Sequence, residues 1–558
     1  MRLLHGIFLL SLLVPAGAVQ PRSGSTGPVV QLAAGRLRGS LRGNLAVFSG
    51  IPFAAPPVGP LRWREPQPAV PWSGVRDATR PGSSCVQSVD GLNPFISPLA
   101  ALYGVSYKGQ PVPSSEDCLY LNVWTPSWPV KGALPVMVWL HGGSNTAGSG
   151  AQPTYDGTSL VAHGVILVTI NYRLGVLGFF SHPELTRESP HHSSGNYGLL
   201  DQFAALRWVR QNIAQFGGDP GNVTLFGESA GSIDAGMLLV SPLSTGLFRR
   251  VILESGPPFG LGKPRPLADG EAFGAAVGKA APGKSQSGLE NLRALPPDEV
   301  VKLAAKVQKE QFKDQAGASY YDGWLLSQAP ARTFATGTMQ KADVMVGLNG
   351  RELSAFRAMA PAAPKTADKP AAGSAFQTVG KAADGLRPLY GSWTDATLAL
   401  YLAKALFNRT VALDQAANDT MLACPIGALS SLMTAGGQRA YVYQFDRSIP
   451  GRGESALGAF HGLEVPFVFN AFADPSWNWL PFTGADRQLS ATIETYWTNF
   501  AKTGNPNSPG LPNWSAWTSD DEPFMEFTHE AQAVPRKGFS PHFCYLSPDR
   551  LKRQLADQ

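Results

Sequence analysis

The chain has 558 residues, of which 44% are hydrophobic, and its 46 Lys and Arg residues against 41 Asp and Glu residues give a net charge of +5 at pH 7. These charges are scattered, without the basic blocks or aromatic-interleaved basic stripes of nucleic-acid-binding surfaces, so no nucleic-acid partner is expected. The length would allow three or four domains, and the hydrophobic content suits a large globular core.

The first 18 residues have the pattern of a secretory signal peptide. A short positive start precedes a largely apolar run over residues 3–14, and Ala16, Gly17 and Ala18 match an A-x-A cleavage site. Cleavage after Ala18 would leave residues 19–558 as an exported chain, secreted or periplasmic. A membrane anchor is less favoured, because the apolar run is well short of the roughly 20 residues that a span needs. No later stretch predicts stable membrane insertion.

Short apolar runs bounded by turn residues predict β-strands along the chain. Residues 29–53 alternate strand-like runs with Gly turns and predict an N-terminal β-hairpin. Apolar residues at helical spacing over 199–213 predict a packed helix. Six further runs are typical of strands buried on both faces, namely residues 136–140, 165–171, 223–226, 251–253, 344–346 and 441–445. Strands that alternate with helices predict an α/β fold with a large, mostly parallel central sheet, and we expect residues 19–558 to form one domain.

A G-x-S-x-G sequence at residues 227–231 places Ser229 between a predicted strand and a helix-like run. The pattern alone is weak, because a chain with 60 Gly residues produces it easily by chance. The strand before it and the helix after it supply the context of a hydrolytic nucleophile, held in a sharp turn at the carboxyl edge of a sheet. The alternative is a Gly-rich turn with an idle serine.

A serine nucleophile needs a base and an acid that orients the base. Among nine His residues, His461 stands out because it lies in a loop beyond the strand at 441–445. Glu352 lies in a Gly/Asn loop just beyond the strand at 344–346. Ser229, Glu352 and His461 therefore follow one another in the order Ser, Glu, His, which is typical of α/β-hydrolases.

On these residues the chain resembles the type B carboxylesterase family, which includes cholinesterases and bacterial carboxylesterases, and it looks most like the exported bacterial members. Residues 51–63, 115–126 and 195–202 resemble further signature segments of that family. The resemblance covers nearly the whole mature chain. It implies an α/β-hydrolase fold with helices flanking the sheet, and a Ser229–Glu352–His461 triad that hydrolyses carboxylic esters through an acyl-enzyme.

The segment that the resemblance implies as the oxyanion hole departs from the family pattern. After the strand at 136–140 the chain reads His141-Gly142-Gly143-Ser144-Asn145, where the family usually has three consecutive glycines. The backbone N–H groups of Gly143, Ser144 and Ala230 are the implied donors to the developing oxyanion. Because glycine alone takes positive φ freely, we expect the Ser144 N–H to serve if its φ stays negative. A plain strand-to-loop turn is the alternative.

Four cysteines in a large exported chain permit two disulfides with three connectivities. The family resemblance favours Cys85–Cys118, which closes a loop, and Cys424–Cys544, which ties down the C-terminal tail. Four buried free thiols are the alternative, and the exported context favours the disulfides.

No metal site or cofactor is expected, because the chain shows no H-E-x-x-H pattern and its cysteines are scattered. The expected partner is a small-molecule ester, and the oligomeric state stays open. The loop between Cys85 and Cys118 has no Trp, so a cation–π site for a quaternary ammonium is not supported. An amidase or acyltransferase with the same triad, and a non-catalytic binding protein of the same fold, are the alternatives.

Two segments, residues 262–288 and 357–374, are rich in Ala, Gly, Lys and Pro and poor in large apolar residues. This composition predicts surface loops or lid-like insertions around the site. Two interpretations are left undecided: mobile loops without a function, and segments that gate access to the substrate site.

Overall fold

The computed structural model describes residues 27–88, 91–109, 112–130, 132–259, 264–312, 317–359, 401, 412, 414–541 and 544. The predicted signal peptide lies outside these residues, as does most of the predicted insertion at 357–374. Within the described part of the chain, no helix has the length and apolar character needed to cross a membrane.

The six apolar runs predicted as buried strands all form strands in the structure, whereas eight further strands, several of them only two residues long, were not predicted. In chain order the strands are β1 Val29–Leu32, β2 Gly35–Arg38, β3 Ser40–Arg42, β4 Leu45–Pro52, β5 Val75–Asp77, β6 Ser84–Cys85, β7 Ser114–Ser115, β8 Tyr120–Thr125, β9 Leu134–Leu140, β10 Ile166–Ile170, β11 Gly218–Glu228, β12 Arg250–Glu254, β13 Arg265–Pro266, β14 Tyr320–Tyr321, β15 Asp343–Asn349, β16 Ala440–Phe445, β17 Phe524–Phe527 and β18 Ala533–Arg536.

Eleven of these described strands form one sheet in the order β18-β17-β16-β15-β12-β11-β9-β10-β8-β4-β3. The seven strands from β17 to β10 in this order are parallel to one another. The edges are antiparallel, with β18 on one side and β8, β4 and β3 on the other. The predicted large, mostly parallel sheet is confirmed, and the carboxyl ends of its central strands meet at one edge. The N-terminal hairpin is also present, since β1 and β2 pair antiparallel.

Helices connect the parallel strands and cover the sheet. In chain order they are α1 Asn93–Leu102, α2 Thr158–Ala162, α3 Gly175–Gly178, α4 Pro183–Glu188, α5 Tyr197–Asn212, α6 Ala230–Val240, α7 Leu267–Ala280, α8 Gly288–Ala294, α9 Pro297–Gln311, α10 Pro330–Thr336, α11 Leu353–Met359, α12 Cys424–Ala435, α13 Glu454–Leu457, α14 Val465–Val468 and α15 Gly484–Thr503. The predicted helix at 199–213 corresponds to α5.

The two faces of the sheet are buried in two separate cores. Along β9, Val136 and Val138 belong to one hydrophobic cluster, while Met137 and Trp139 belong to the other. Successive side chains of a strand point to opposite faces, so a strand with both sets buried must lie between two layers. This explains why the central strands read as continuous apolar runs.

The prediction of a surface loop at 262–288 is wrong for most of that segment. Residues 267–280 form α7, and Phe273 and Val277 on it belong to the core. A Cβ atom on Gly274 would lie 1.8 Å from the Ser181 carbonyl oxygen, and one on Gly270 would lie 2.5 Å from the Tyr320 ring. The glycines that made the segment look loop-like are the residues that allow this helix to pack closely against its neighbours.

Candidate active site

Ser229 lies in a sharp turn between the end of β11 and the start of α6, with φ 55° and ψ −121°. Glycines are needed on both sides, because the end of β9 passes very close. A Cβ atom on Gly227 would lie 2.7 Å from the Leu140 carbonyl oxygen, and one on Gly231 would lie 2.1 Å from it. The Ser229 N–H donates to the Glu254 carbonyl oxygen at 2.9 Å, which fixes the strained turn against β12.

Glu352 and His461 are brought together by two loops that follow neighbouring strands, β15 and β16. His461 Nδ1 donates to Glu352 Oε2 at 2.6 Å, and both side chains are buried. Glu352 Oε1 accepts the N–H of Asn349 at 2.6 Å, and the Asn349 side chain donates to the Phe460 carbonyl oxygen at 2.8 Å. Asn349 therefore holds the carboxylate and the histidine loop in one position.

The other ring nitrogen of His461 faces a second carboxylate. Nε2 lies 3.1 Å from Oε1 of Glu228, the residue before Ser229. This contact is a charge contact and not an aligned hydrogen bond. Within the described residues, Nε2 has no hydrogen bond to the Ser229 hydroxyl. Hydrogen bonds of this kind are often loose in an unliganded site and shorten when substrate is bound.

Burial and charge act in opposite directions on His461. Burial lowers the pKa of the imidazole, but the charges of Glu228 and Glu352, together with the Glu352 hydrogen bond, outweigh it and raise the pKa to about 9. Burial raises the pKa of Glu228 to about 7, although the nearby imidazolium acts to lower it. Because the charges of His461 and Glu228 affect each other, the two groups titrate as a pair. The imidazole can act as a base only after it has lost its own proton.

Two more buried carboxylates lie next to this pair, and the sequence analysis had assigned them no role. Glu464 accepts hydrogen bonds from the Ser255 hydroxyl at 2.9 Å and from the Asn349 amide, while Glu254 accepts from the Trp497 ring at 2.7 Å. Burial raises the pKa of Glu464 to about 8 and that of Glu254 well above its ordinary value. Of these two carboxylates, only Glu464 could have been suspected from the sequence, because it lies three residues after His461.

The condition set for Ser144, a negative φ, is not met. Gly143, Ser144 and Asn145 have φ values of 103°, 56° and 56°, so three consecutive residues adopt the left-handed region. Within the described residues, the N–H groups of Gly143 and Ser144 have no acceptor. Ala230 is the first residue of α6, where N–H groups lack a partner inside the helix. A Cβ atom on Gly142 would lie 3.2 Å from the Ser229 Cβ atom, so this loop lies directly against the serine.

One cavity of about 760 Å³ has Glu228, Ser229, His461, Gly143 and Ser144 in its lining. Most of the remaining wall is apolar. The ring of Phe356 lies 4.9 Å from that of His461, centroid to centroid. Sequence reasoning missed several of the wall residues, because they come from segments distant along the chain: Phe273 of α7, Val301 and Ala304 of α9, Phe312, and Trp477.

The structure contains the disulfides Cys85–Cys118 and Cys424–Cys544, with Cα atoms 4.9 Å and 5.3 Å apart. The first closes a loop that contributes Val86 and Phe95 to the cavity wall. A covalent tie near the base of this loop restricts how far that wall can open.

Known proteins share both the sequence and this architecture. A sequence profile described as the carboxylesterase family matches residues 26–544. The chain belongs to the carboxylesterase family. The fumonisin B1 esterase of Sphingopyxis macrogoltabida is 35% identical to this carboxylesterase over 510 residues, which cover 90% of this chain and 86% of that protein. The cocaine esterase of Homo sapiens is 35% identical over 520 residues, which cover 89% and 87%.

Solved structures confirm the α/β-hydrolase fold. A PNB esterase superposes with a TM-score of 0.75 at 31% identity and covers 95% of this chain and 99% of its own. A carboxylesterase of Geobacillus stearothermophilus gives a TM-score of 0.74 at 30% identity, with 91% and 97% covered. The protein is thus a carboxylic ester hydrolase of the carboxylesterase family, and this membership favours an enzyme over the non-catalytic alternative.

Proposed function

We propose that this carboxylesterase cleaves its substrates through an acyl-enzyme on Ser229, with His461 as the general base and Glu352 as the acid that orients it. The observation that carries the proposal is the 2.6 Å hydrogen bond between His461 Nδ1 and Glu352, in the same cavity as a serine held in a strained strand-to-helix turn. That bond occupies Nδ1 and leaves Nε2, which lies 3.1 Å from the residue before Ser229, as the nitrogen proposed to act as the base.

In the first step, Ser229 Oγ attacks the ester carbonyl carbon and its proton passes to Nε2 of His461. The carbonyl oxygen becomes negative, and the N–H groups of Gly143, Ser144 and Ala230 are the proposed donors to it. Each such donor contributes about 3–4 kcal/mol to the transition state. The tetrahedral intermediate collapses, the alcohol leaves with the proton from His461, and water then hydrolyses the acyl-enzyme through the same base.

The apolar wall of the cavity supports small-molecule esters with apolar acyl or alcohol groups as substrates. Phe312 and Phe356 belong to this wall, and Ser144 and Glu228 are among the few polar groups near the reacting atoms. A large apolar pocket with few convergent polar groups is the usual form of a small-molecule site.

The test is p-nitrophenyl butyrate hydrolysis by the wild type, by Ser229→Ala and by Ser241→Ala, a buried serine at the far end of α6. We expect activity in the wild type and in Ser241→Ala, and loss of activity in Ser229→Ala. After treatment of the wild type with a phosphonate inhibitor, mass spectrometry should locate the covalent adduct on Ser229. Activity that persists in Ser229→Ala contradicts the nucleophile assignment. Faster cleavage of the matching anilide, or a preference for acyl transfer to added alcohol, would support the amidase or acyltransferase alternative.

We also infer that residues 1–18 are a signal peptide removed after Ala18, and that residues 19–558 work as one exported domain. The two disulfides support an oxidising environment outside the cytoplasm. N-terminal sequencing of the protein recovered from its natural host tests the cleavage site, and an intact Met1 would contradict it.

A further inference from the structure

The loop that carries two of the proposed oxyanion donors is in a conformation that must be held in place. Ser144 and Asn145 both have φ 56°, although neither is glycine. Such residues persist in the left-handed region only where surrounding contacts determine the backbone. Hydrogen bonds from Thr146 and Ala147 to the Gly143 carbonyl oxygen stay within the loop, whereas those of Asn145 join it to the rest of the fold.

Asn145 is tied on three sides. Its Nδ2 donates to Asp234 Oδ1 at 3.1 Å and to the Gly317 carbonyl oxygen at 3.4 Å. Its own carbonyl oxygen accepts the N–H of Gly175 at 2.6 Å. The residue is 6% exposed, so its bond to Asp234 is shielded from competing water.

Asp234 connects this loop to the helix that begins beside the nucleophile. It lies on α6, one turn beyond Ala230, and is 1% exposed. Its second oxygen accepts from Gln202 Nε2 on α5 at 2.6 Å. Among the ion pairs of the described residues, none involves Asp234, so its carboxylate is held by two amide donors and not by a cation.

The Asn145–Asp234 bond therefore joins the two halves of the proposed oxyanion hole. One half is the loop with the N–H groups of Gly143 and Ser144, and the other is the first turn of α6 with the N–H of Ala230. We propose that Asn145 and Asp234 are positioning residues that fix the spacing between these halves, with Gln202 holding the Asp234 carboxylate in place. This inference rests on the proposed role of Ser229.

The alternative is that the three residues only satisfy one another inside the fold. The two possibilities differ in what they predict for binding of a transition-state analogue. With an alkyl trifluoromethyl ketone, Ser229 Oγ adds to the carbonyl carbon, its proton passes to His461, and the former carbonyl oxygen takes the negative charge in the hole. A positioning role changes affinity for this ketone and kcat together, and leaves KM for the ester almost unchanged.

The experiment compares Asn145→Gly, Asn145→Asp and the double variant Asn145→Asp with Asp234→Asn. Glycine keeps the positive φ available but removes the side-chain hydrogen bonds to Asp234 and Gly317. Aspartate also tolerates this φ but sets two carboxylates against each other. In the double variant the amide introduced on α6 donates to the carboxylate introduced in the loop, and its oxygen still accepts from Gln202. The bond is thereby restored with its direction reversed.

We expect kcat to fall about 10- to 100-fold in Asn145→Gly and further in Asn145→Asp, with KM within about twofold. The inhibition constant of the ketone should rise by the same factor as kcat/KM falls, and the double variant should recover most of the loss relative to Asn145→Asp. Asn507→Gly is the matched control, because this loop asparagine is tied to Trp514 away from the cavity. It should lose stability without a change in kcat.

Folded Asn145→Gly with unchanged kcat and ketone affinity would overturn the proposal, as would a rise in KM alone. A double variant that is no better than Asn145→Asp would also overturn it, and this comparison holds even if Asn145→Gly folds poorly. A wrong assignment of Ser229 gives a different result from a wrong positioning proposal. If Ser229 is not the nucleophile, the ketone will not inhibit the wild type, or it will inhibit Ser229→Ala equally well.

Discussion

His461 Nε2 lies 3.1 Å from Oε1 of Glu228, the residue that precedes Ser229 in the chain. The imidazole thus stands between two carboxylates, Glu352 on Nδ1 and Glu228 on Nε2. The first arrangement orients the ring, and the second places a carboxylate beside the nitrogen that we propose accepts the serine proton. In the proposed mechanism this charge stabilises the imidazolium formed during attack, and it also keeps the resting imidazole protonated to higher pH.

Glu228→Gln should therefore move the acid limb of the pH profile of kcat/KM to lower pH. Glu228 and Glu352 together raise the pKa of His461 to about 9, and only the neutral imidazole is a base, so activity rises with pH through that pKa. Removal of one carboxylate lowers the pKa by about 1 to 2 units. The measurement is kcat/KM for p-nitrophenyl butyrate from pH 5 to 10, with the exposed Glu530→Gln as control. An unmoved acid limb would show that Glu228 carries no charge in the working enzyme.

Ser144→Gly should stabilise the protein slightly and leave kcat unchanged. A non-glycine residue at φ 56° costs about 1–2 kcal/mol, and glycine costs about 0.5–1 kcal/mol in unfolded-state entropy. The expected gain is therefore about 0.5 kcal/mol in the free energy of unfolding, measured by urea denaturation. Ser144→Ala is the control, since it keeps the strain and removes only the hydroxyl. A fall in kcat for both variants would indicate that the hydroxyl itself contacts the reacting oxygen.

Gly274→Ala should destabilise the fold, in contrast to most Gly→Ala changes in helices. The added Cβ atom would lie 1.8 Å from the Ser181 carbonyl oxygen, so α7 must shift, at a cost of about 3 kcal/mol. Gly484→Ala in the first turn of α15 is the matched control, because nothing lies within 4 Å of its added Cβ atom. That variant should gain up to about 1 kcal/mol. Equal melting temperatures for the two would contradict the close packing of α7.

Replacement of Cys85 and Cys118 by Ser should lower stability and also raise KM. The disulfide joins residues 33 positions apart. By lowering the entropy of the unfolded chain, it adds about 3–4 kcal/mol to the free energy of unfolding. Its loop supplies Val86 and Phe95 to the cavity wall, so a looser loop weakens substrate binding. The control is the double Ser variant of Cys424 and Cys544, neither of which lines the cavity. It should unfold more easily with KM unchanged, and equal KM changes in both variants would contradict the assignment.

The sequence by itself determined the order of the elements and predicted which side chains form the site. Ser229, Glu352 and His461 each follow a strand that is recognisable as a short apolar run, because a sheet buried on both faces requires such runs. The carboxyl ends of parallel strands meet at one edge, so three residues far apart in the chain were expected close together. The contact between His461 and Glu352 agrees with that expectation.

Only the tertiary structure decided how the groups around these residues are charged and held. Asn145, the residue after Ser144, bonds Asp234, which lies 89 positions away, and nothing local in the sequence indicates this contact. The glycine content of α7 predicted a loop. Those glycines instead allow close packing against Ser181 and Tyr320, which are distant in the chain and could not be identified as neighbours from the sequence. The pKa of His461 likewise depends on which carboxylates become buried together, and burial is a property of the assembled fold.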